Sequence, residues 1–331
     1  MSVPPFRGLL LPALAVIAGL AGCAGQSSTA GAFIPKAAAP ARLQSPFSTP
    51  LRMYVANRGG ASILAFDSTA SGDVAPVAII AGAKTGLTVP DSLAVDATGN
   101  VYAANDAAMT VEVFAAGANG NAKPMRTIGG KRSKLGPTEG LFVDPTGDLW
   151  VSDYVNNAIT EYSPTAKGNA RPRAVISGSK TQLVAPCGLA MNAGGELFAA
   201  NVNGGSITIY AVGAKGNAKP VGTIAGSNTG LQRPFAIAFD NERRLLVADE
   251  YIGLLVFANG AVGNVAPVQK ITSLGSPSGI ISDAQGHIYV TGYNNSAIDV
   301  FAHNADGNAT PIRTIQGANT TLNAPTSLGL H

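Results

Sequence analysis

The chain repeats one pattern six times, and this repeat limits the available folds more than any other feature of the sequence. Each copy contains an apolar strand that ends in Asn or Asp, a polar loop, a second strand, a Gly-Asn or Gly-Asp turn, and two further strands led by proline. Successive copies are 48, 48, 48, 48 and 43 residues apart, measured at Tyr54, Tyr102, Trp150, Phe198, Leu246 and Tyr289. Four short strands in a unit of about 40–50 residues are typical of a β-propeller blade.

The local pattern within each copy agrees with a unit made of strands. In Leu149–Asp153 and Ser206–Tyr210 every second residue is apolar, which is the period of a half-buried strand. The Gly-Asn and Gly-Asp pairs adopt positive φ at little cost and therefore suit a hairpin turn. A proline that recurs in every copy lacks a backbone donor, so it belongs at the start or the edge of a strand.

The phase of the repeat predicts how the ring closes. We label the strands of a blade a to d from the axis outward. The first copy begins at strand b near Met53 with no strand a before it, whereas the last strand a, near Leu328, has no blade after it. We therefore expect the C-terminal strand to pair beside residues 52–56, which would remove exposed sheet edges that invite aggregation. The expected fold is an all-β, six-bladed propeller of four-stranded blades over residues 51–331.

The N-terminus predicts export and a lipid anchor. Arg7 precedes an apolar run that is too short for a stable transmembrane helix, so residues 1–22 are interpreted as a signal peptide. Residues 20–23 (LAGC) also resemble the lipobox of bacterial lipoproteins. This resemblance implies a lipidated Cys23, and Ala24 after it implies sorting to the outer membrane, facing the periplasm. The alternative is ordinary signal cleavage with an incidental cysteine.

The segment after the predicted signal peptide is typical of a tether. Residues 23–50 are rich in Ala, Pro, Ser and Gly and lack periodicity. A flexible chain of this length spans on the order of 30 Å and would hold the propeller just off the membrane. With Cys23 acylated, Cys187 has no intramolecular partner, so the hydrophobic core alone must hold the fold.

Three segments of the repeat are similar to known propeller repeats. MYVANRGGASILAF, LWVSDYVNNAITEY and IYVTGYNNSAIDVF resemble the repeats of NHL-type and YVTN-type propellers. The resemblance covers residues 51–331 and implies the propeller fold. It implies no single function, because such propellers serve as binding platforms, scaffolds and enzymes alike.

Residues that break the repeat are better functional candidates than residues that recur in every blade. One such position lies two residues before the Leu or Ile of each inner strand, where we expect the top of the central channel: Asp91, Glu139, Cys187, Phe235, Ser278 and Thr326. Asp91, Glu139 and Cys187 would place two carboxylates and a thiol on neighbouring blades, with Phe235 next to them. Such a group can bind a divalent cation or act as acid and base. The alternative is that these residues only hydrate the channel or bond to loop backbone.

The loops that lead into three consecutive inner strands carry cations. These are Lys84, then Lys131 and Arg132, then Lys180. They indicate an edge that would bind a small anion such as a sugar acid, a phosphate or a peptide carboxylate. The alternative is a solvated cluster that gives solubility. The net charge of +3 is small and spread along the chain, which argues against a nucleic-acid partner.

Together these observations favour a non-catalytic binding or scaffolding module of the cell envelope. The membrane would be one partner through the lipid anchor, and a protein or a small anionic ligand would bind at the top face. No cofactor is predicted. The alternative is a metal-dependent hydrolase or lyase similar to gluconolactonase-type propellers, because Glu139-Gly140 resembles their Glu-Gly element. The chain has no matching Asn-Gly element on another inner strand, no P-loop and no G-x-S-x-G elbow.

Overall fold

A computed structural model describes residues 51–331. The predicted signal peptide, Cys23 and the tether at residues 23–50 lie outside the described residues. The described chain forms six four-stranded antiparallel sheets, which are the blades of a propeller. This confirms the all-β, six-bladed fold expected from the repeat. In this part of the chain no helix is long and apolar enough to cross a membrane.

The four strands of each blade run from the axis outward in the order a to d. Blade 1 contains β24 (Pro325–Leu330), β1 (Arg52–Asn57), β2 (Ser62–Asp67) and β3 (Ala78–Ile80). Blade 2 contains β4 (Pro90–Val95), β5 (Val101–Asn105), β6 (Thr110–Phe114) and β7 (Arg126–Gly129). Blade 3 contains β8 (Thr138–Val143), β9 (Leu149–Asp153), β10 (Ala158–Tyr162) and β11 (Ala174–Ser177). Blade 4 contains β12 (Pro186–Met191), β13 (Leu197–Asn201), β14 (Ser206–Tyr210) and β15 (Gly222–Ile224). Blade 5 contains β16 (Pro234–Phe239), β17 (Leu245–Asp249), β18 (Gly253–Phe257) and β19 (Gln269–Ile271). Blade 6 contains β20 (Pro277–Ser282), β21 (Ile288–Gly292), β22 (Ala297–Phe301) and β23 (Arg313–Ile315).

The two ends of the described chain meet in blade 1 and close the ring. β24 pairs antiparallel with β1, with Met53 opposite Leu330 and Val55 opposite Leu328. Leu328 is 5% exposed, so the closing strand contributes to the hydrophobic core as well as to the ladder. This pairing confirms the closure predicted from the phase of the repeat.

The hydrophobic core is divided into interfaces between neighbouring blades. Phe198 of blade 4, for example, packs in one buried cluster with Phe257 of blade 5, and burying such a side chain stabilises the fold by about 1.5–3 kcal/mol. The alternation in Leu149–Asp153 predicted a half-buried strand, but this strand is buried along its whole length. The prediction is wrong because a neighbouring blade covers each face. The buried Ser152 hydroxyl accordingly donates to the Cys187 carbonyl oxygen of the next blade at 2.7 Å.

A recurring contact, which we call the interblade clasp, fastens the outer edge of each blade to the next. The Asn or Asp of the Gly-Asn or Gly-Asp turn accepts a hydrogen bond from a loop of the preceding blade, as Asn121 does from the Lys84 backbone N–H at 2.7 Å. The glycine supplies the predicted positive φ, 63° at Gly120. The same clasp joins Arg132 to Asn169, Lys180 to Asn217, Asn228 to Asn264, and Asn319 to Asp73. The repeated turn therefore stabilises the ring in addition to its own hairpin.

The loop that connects blades 5 and 6 is shorter than the corresponding loops between the other blades. The 43-residue spacing between the last two copies of the repeat indicated this difference. Five residues (272–276) separate β19 from β20, whereas nine residues (225–233) separate β15 from β16. The clasp at this connection is made by the Thr272 hydroxyl, which donates to Asn308 Oδ1 at 2.9 Å. The shortened loop ends at Ser276, directly before the inner strand of blade 6.

Candidate functional site

The inner strand of every blade carries a β-bulge near its first residue. In β4, Asp91 lies between the pairs Pro90–Asn105 and Ser92–Ala104 and has no partner of its own across the ladder. The bulge recurs around Glu139, Cys187, Phe235, Ser278 and Thr326. A bulge re-aims its extra residue out of the regular alternation. The ring of rim residues proposed from the sequence is thus a ring of bulges, and we call this end of the channel the mouth.

An open cavity of about 320 Å³ lies at the mouth. Of the four rim residues singled out in the sequence, Asp91, Glu139 and Phe235 line this cavity. Cys187 occupies the equivalent position on its own blade but is 0% exposed, and burial raises the pKa of its thiol. The structure therefore brings the carboxylate pair and Phe235 to one cavity, while the thiol stays in the packed interior.

Three carboxyl groups from blades 2 and 3 meet at the mouth. Asp91, Asp106 and Glu139 each offer one oxygen, and these oxygens lie within 4.8 Å of one another. Arg58 of blade 1 approaches this group with its Nε 3.0 Å from Oδ1 of Asp91, whose side chain is 4% exposed. Arg58 Nη1 also donates to the Tyr293 hydroxyl at 3.4 Å. The guanidinium group of Arg58 therefore compensates part of the negative charge of this cluster.

Burial and neighbouring carboxylates change the proton affinity of this cluster. Burial, then the hydrogen bond and charge of Asp91, and then the charge of Asp106 raise the pKa of Glu139 to about 9. The direction of this shift favours the protonated form of Glu139, which donates a hydrogen bond to Asp91. Burial and the charge of Asp91 also raise the pKa of Asp106, while Arg58 opposes that shift. The cluster carries less negative charge than three carboxyl groups would suggest.

Asp106 is positioned by Thr138, a residue that departs from the repeat. Five inner strands begin with proline, but β8 begins with Thr138. Because threonine keeps its backbone N–H, Thr138 donates to the Asp106 carboxylate, and this bond offsets part of the rise in the pKa of Asp106. The Thr138 hydroxyl is buried and has no hydrogen-bond partner within residues 51–331. The missing proline is visible in the sequence and marks the strand that also carries Glu139.

A second ion pair lines the cavity from blade 5. Arg233 Nε lies 2.7 Å from Glu250 Oε2, and the Arg233 guanidinium carbon lies 5.3 Å from the ring centre of Tyr251. Arg233 Nη1 also donates to Asn203 Oδ1 at 3.3 Å. These contacts hold a second guanidinium group in one place at the mouth.

A recurring residue positions the loop that carries Arg233. The Asn or Asp that ends strand b accepts hydrogen bonds from the backbone just before the inner strand. Asn105 Oδ1 accepts from the N–H groups of Thr88 and Val89 at 2.9 and 3.0 Å. Asp249 Oδ2 accepts from Arg233 N–H at 2.9 Å in the same way. The recurring residue thus serves the architecture and fixes the main chain from which Arg233 projects.

Sequence reasoning missed Arg58, Asp106 and Glu250. Each directly follows the residue that ends strand b, and the six equivalent residues are Arg58, Asp106, Tyr154, Val202, Glu250 and Tyr293. This position differs from blade to blade. Residues that break the repeat are the better functional candidates. If this rule had also been applied to the position after strand b, it would have identified all three residues.

The cations proposed as an anion-binding edge lie apart from the mouth cavity. Lys84, Lys131, Arg132 and Lys180 are exposed, and they are not among the residues that line it. The backbone N–H groups of Lys84, Arg132 and Lys180 take part in interblade clasps at the outer edge of the ring. The structure therefore places the rim residues and these cations on two separate surfaces, one at the mouth and one on the perimeter.

These features define the chain as a six-bladed β-propeller with a group of ionisable side chains at one mouth of its channel. No protein-family model and no curated protein matches the sequence. A solved nidogen/laminin complex is similar with a TM-score of 0.58 and 17% identity, over 85% of this chain and 98% of that chain. A candidate 6-phosphogluconolactonase from Bacteroides fragilis has a TM-score of 0.57 and 17% identity, over 87% and 99%. Virginiamycin B lyase from Staphylococcus aureus, in a catalytically inactive form with quinupristin, has a TM-score of 0.51 and 14% identity, over 72% and 73%. Identities this low establish a common fold alone.

Proposed function

We propose that this propeller is a binding module whose mouth takes a small hydroxylated or singly anionic ligand, and that it works in the cell envelope as an exported, lipid-anchored protein. The observation that carries the binding function is the mouth cavity of about 320 Å³, where side chains that break the repeat converge. A cavity of this size with a few oriented polar groups is typical of small-molecule sites. Phe235 and Tyr293 add ring surface to its wall, which suits the carbon skeleton of a sugar.

The mouth presents hydrogen-bond donors on guanidinium groups that already face carboxylates. The guanidinium groups of Arg58 and Arg233 supply hydrogen-bond donors, whereas the proton of Glu139 is directed to Asp91. Asp91 and Glu250 neutralise the two guanidinium groups. Because Asp91, Asp106 and Glu250 leave no excess positive charge beside the two guanidinium groups, hydroxyl groups or at most one carboxylate fit this site better than a multiply charged anion.

Binding also agrees with the state of the acids at the mouth. A catalytic base needs an ionised carboxylate that is free to accept a proton. Asp91 bonds Arg58 instead, and the raised pKa of Glu139 favours its protonated form. Binding of a partner is a known use of the fold, since a similar propeller occurs in the nidogen/laminin complex.

We expect Arg233→Ala to weaken ligand binding at the mouth by roughly ten-fold or more, since it removes a charged donor and leaves Glu250 unpaired. The measurement is the rise in melting temperature of the purified chain with millimolar glucose, gluconate or galacturonate, of which at least one should stabilise the natural chain. Arg173→Ala is the matched control, because Arg173 forms an ion pair with Asp148 away from the mouth. The proposal fails if none of the three compounds stabilises the protein, or if both variants lose the effect equally.

The alternative function is a metal-dependent hydrolase or lyase at the same mouth. It is favoured by the three carboxyl oxygens within 4.8 Å of one another, a spacing that one divalent cation can span. The cation would have to displace both the Arg58 guanidinium and the Glu139 proton. Hydrolysis of a sugar lactone that needs Ca²⁺ and is lost in Asp91→Asn would support this function over simple binding. A lyase and a candidate lactonase are among the structures that share the fold.

The lipid anchor is proposed from residues 20–23 (LAGC), which lie outside the described residues. Cys23→Ser should release the protein from the membrane fraction and abolish metabolic labelling with a fatty-acid analogue, because the anchoring acyl chains are lost. Cys187→Ser should keep both properties, since Cys187 is buried in the propeller. Retention of label in Cys23→Ser would contradict the anchor.

A further inference from the structure

The interblade clasps differ in charge around the ring. At the clasp between blades 1 and 2, Lys84 supplies the backbone donor and Lys123 lies two residues after the accepting Asn121. The next two clasps carry Lys131, Arg132, Lys167 and Arg171 between blades 2 and 3, and Lys180, Lys215 and Lys219 between blades 3 and 4. All nine side chains are exposed, and within residues 51–331 none of them forms an ion pair. We call these nine residues the basic edge.

The matching positions on the other half of the ring are neutral or acidic. Asn228 and Asn264 form the clasp between blades 4 and 5, with Val262 beside them. Asp306 lies two residues before Asn308 at the clasp between blades 5 and 6, and Asp73 is itself the acceptor between blades 6 and 1. The backbone hydrogen bond forms with or without a cation at the clasp, so the fold does not require the basic edge.

We propose that the basic edge binds a linear acidic polysaccharide that runs along the perimeter from blade 1 to blade 4. Exposed cations without ion-pair partners attract anionic groups at close range, because the Debye length is only about 8 Å at physiological ionic strength. The nine cations form three clusters, one at each clasp from blade 1 to blade 4, and these clusters follow one another at consecutive blade interfaces. A polymer with an acidic group on successive units can contact one cluster after another.

The curvature of the perimeter favours a flexible polymer over a flat membrane. Consecutive clasps lie one blade apart in a closed six-bladed ring, so the surface turns by a sixth of a full rotation between clusters. A flat lipid surface would meet the side of such a ring at one place only. A polymer that bends around the ring can contact all three clusters and therefore all nine cations.

The composition of the basic edge favours a polysaccharide over a nucleic acid. Single-stranded nucleic acids are held by stacking of bases on aromatic side chains together with basic residues. The exposed aromatic side chains within residues 51–331 are Tyr251 and Tyr293, which belong to the mouth and not to the basic edge. The carboxylates of a polyuronate need only the cations that the edge provides.

The experiment measures binding of the purified full chain to immobilised alginate, a linear polyuronate, at low and at physiological salt. We expect salt-sensitive binding that Lys167→Gln combined with Lys215→Gln weakens roughly ten-fold at low salt, because fewer counterions are released from the polymer. The matched control is Lys270→Gln combined with Arg243→Gln, which removes the same charge from exposed residues outside the basic edge. This control should bind alginate nearly as well as the natural chain.

Four outcomes would overturn the proposal: no binding to alginate at low salt, equal weakening in the two double variants, tighter binding to vesicles of anionic phospholipid, or tighter binding to single-stranded DNA. The proposal stands independently of a ligand at the mouth. Arg233→Ala should therefore leave alginate binding unchanged, and a failure at one surface does not decide the other.

Discussion

Removal of residues 325–331 is expected to prevent the propeller from forming a stable ring. These residues contain β24, which pairs with β1 and also packs against the inner strands of blades 2 and 6. Without β24, the inner edge of β1 loses its partner, and buried Leu328 no longer fills the core. We expect a loss of about 5 kcal/mol or more in the free energy of unfolding, comparable with the whole stability of many domains.

The truncated chain should show aggregation in size-exclusion chromatography and no cooperative thermal transition. His331→Ala is the control, because it changes the same terminus but keeps β24 (Pro325–Leu330) intact. A synthetic peptide of residues 325–331 added during refolding should recover part of the soluble protein if strand pairing is the cause. A truncated chain that stays monomeric and melts at the same temperature would contradict the importance of closure.

Ring closure could be predicted from the sequence because it depends on the phase of the repeat, not on side-chain geometry. The first copy lacks strand a and the last strand a lacks a blade, so only pairing of the two completes both. The burial of individual strands could not be predicted in the same way. Alternation in Leu149–Asp153 resembles that of a strand with one solvated face, and only the arrangement of neighbouring blades shows that both faces are covered.

The candidate site was predictable in part. Asp91 and Glu139 were recognised because they break the repeat at the bulge position, and they do line the mouth cavity. Cys187 breaks the repeat at the same position, but its burial depends on packing against neighbouring blades and has no local signal. The approach of Arg58 to Asp91 joins side chains from two blades, so no spacing within one copy of the repeat contains it.

The proton on Glu139 is expected to make the free energy of unfolding depend strongly on pH. Burial and Asp91 raise the pKa of Glu139 to about 9 in the folded chain, whereas a glutamate in the unfolded chain has a pKa of about 4.3. Between these values the folded chain binds a proton that the unfolded chain has released. Stability from this group is therefore complete below the unfolded pKa and falls as pH rises through this window. A fully developed shift would correspond to roughly 6 kcal/mol, and solvent screening at this partly exposed site reduces it to about 2–4 kcal/mol.

Glu139→Gln should remove this pH dependence, since glutamine keeps the shape and the donor of the protonated acid but has no proton to lose. The expected result from urea unfolding is equal stability of the variant and the natural chain near pH 4, and a variant that is more stable by about 2–4 kcal/mol near pH 9. Glu196→Gln makes the same chemical change on a turn of blade 4, where Glu196 Oε2 accepts from Asn192 at 2.8 Å, and it should leave the slope of stability against pH nearly unchanged.

If the curves of the natural chain and Glu139→Gln stay parallel from pH 4 to pH 9, Glu139 is not protonated at neutral pH. A metal centre would then be favoured over a binding site, because the carboxyl cluster of Asp91, Asp106 and Glu139 would have no proton for a cation to displace.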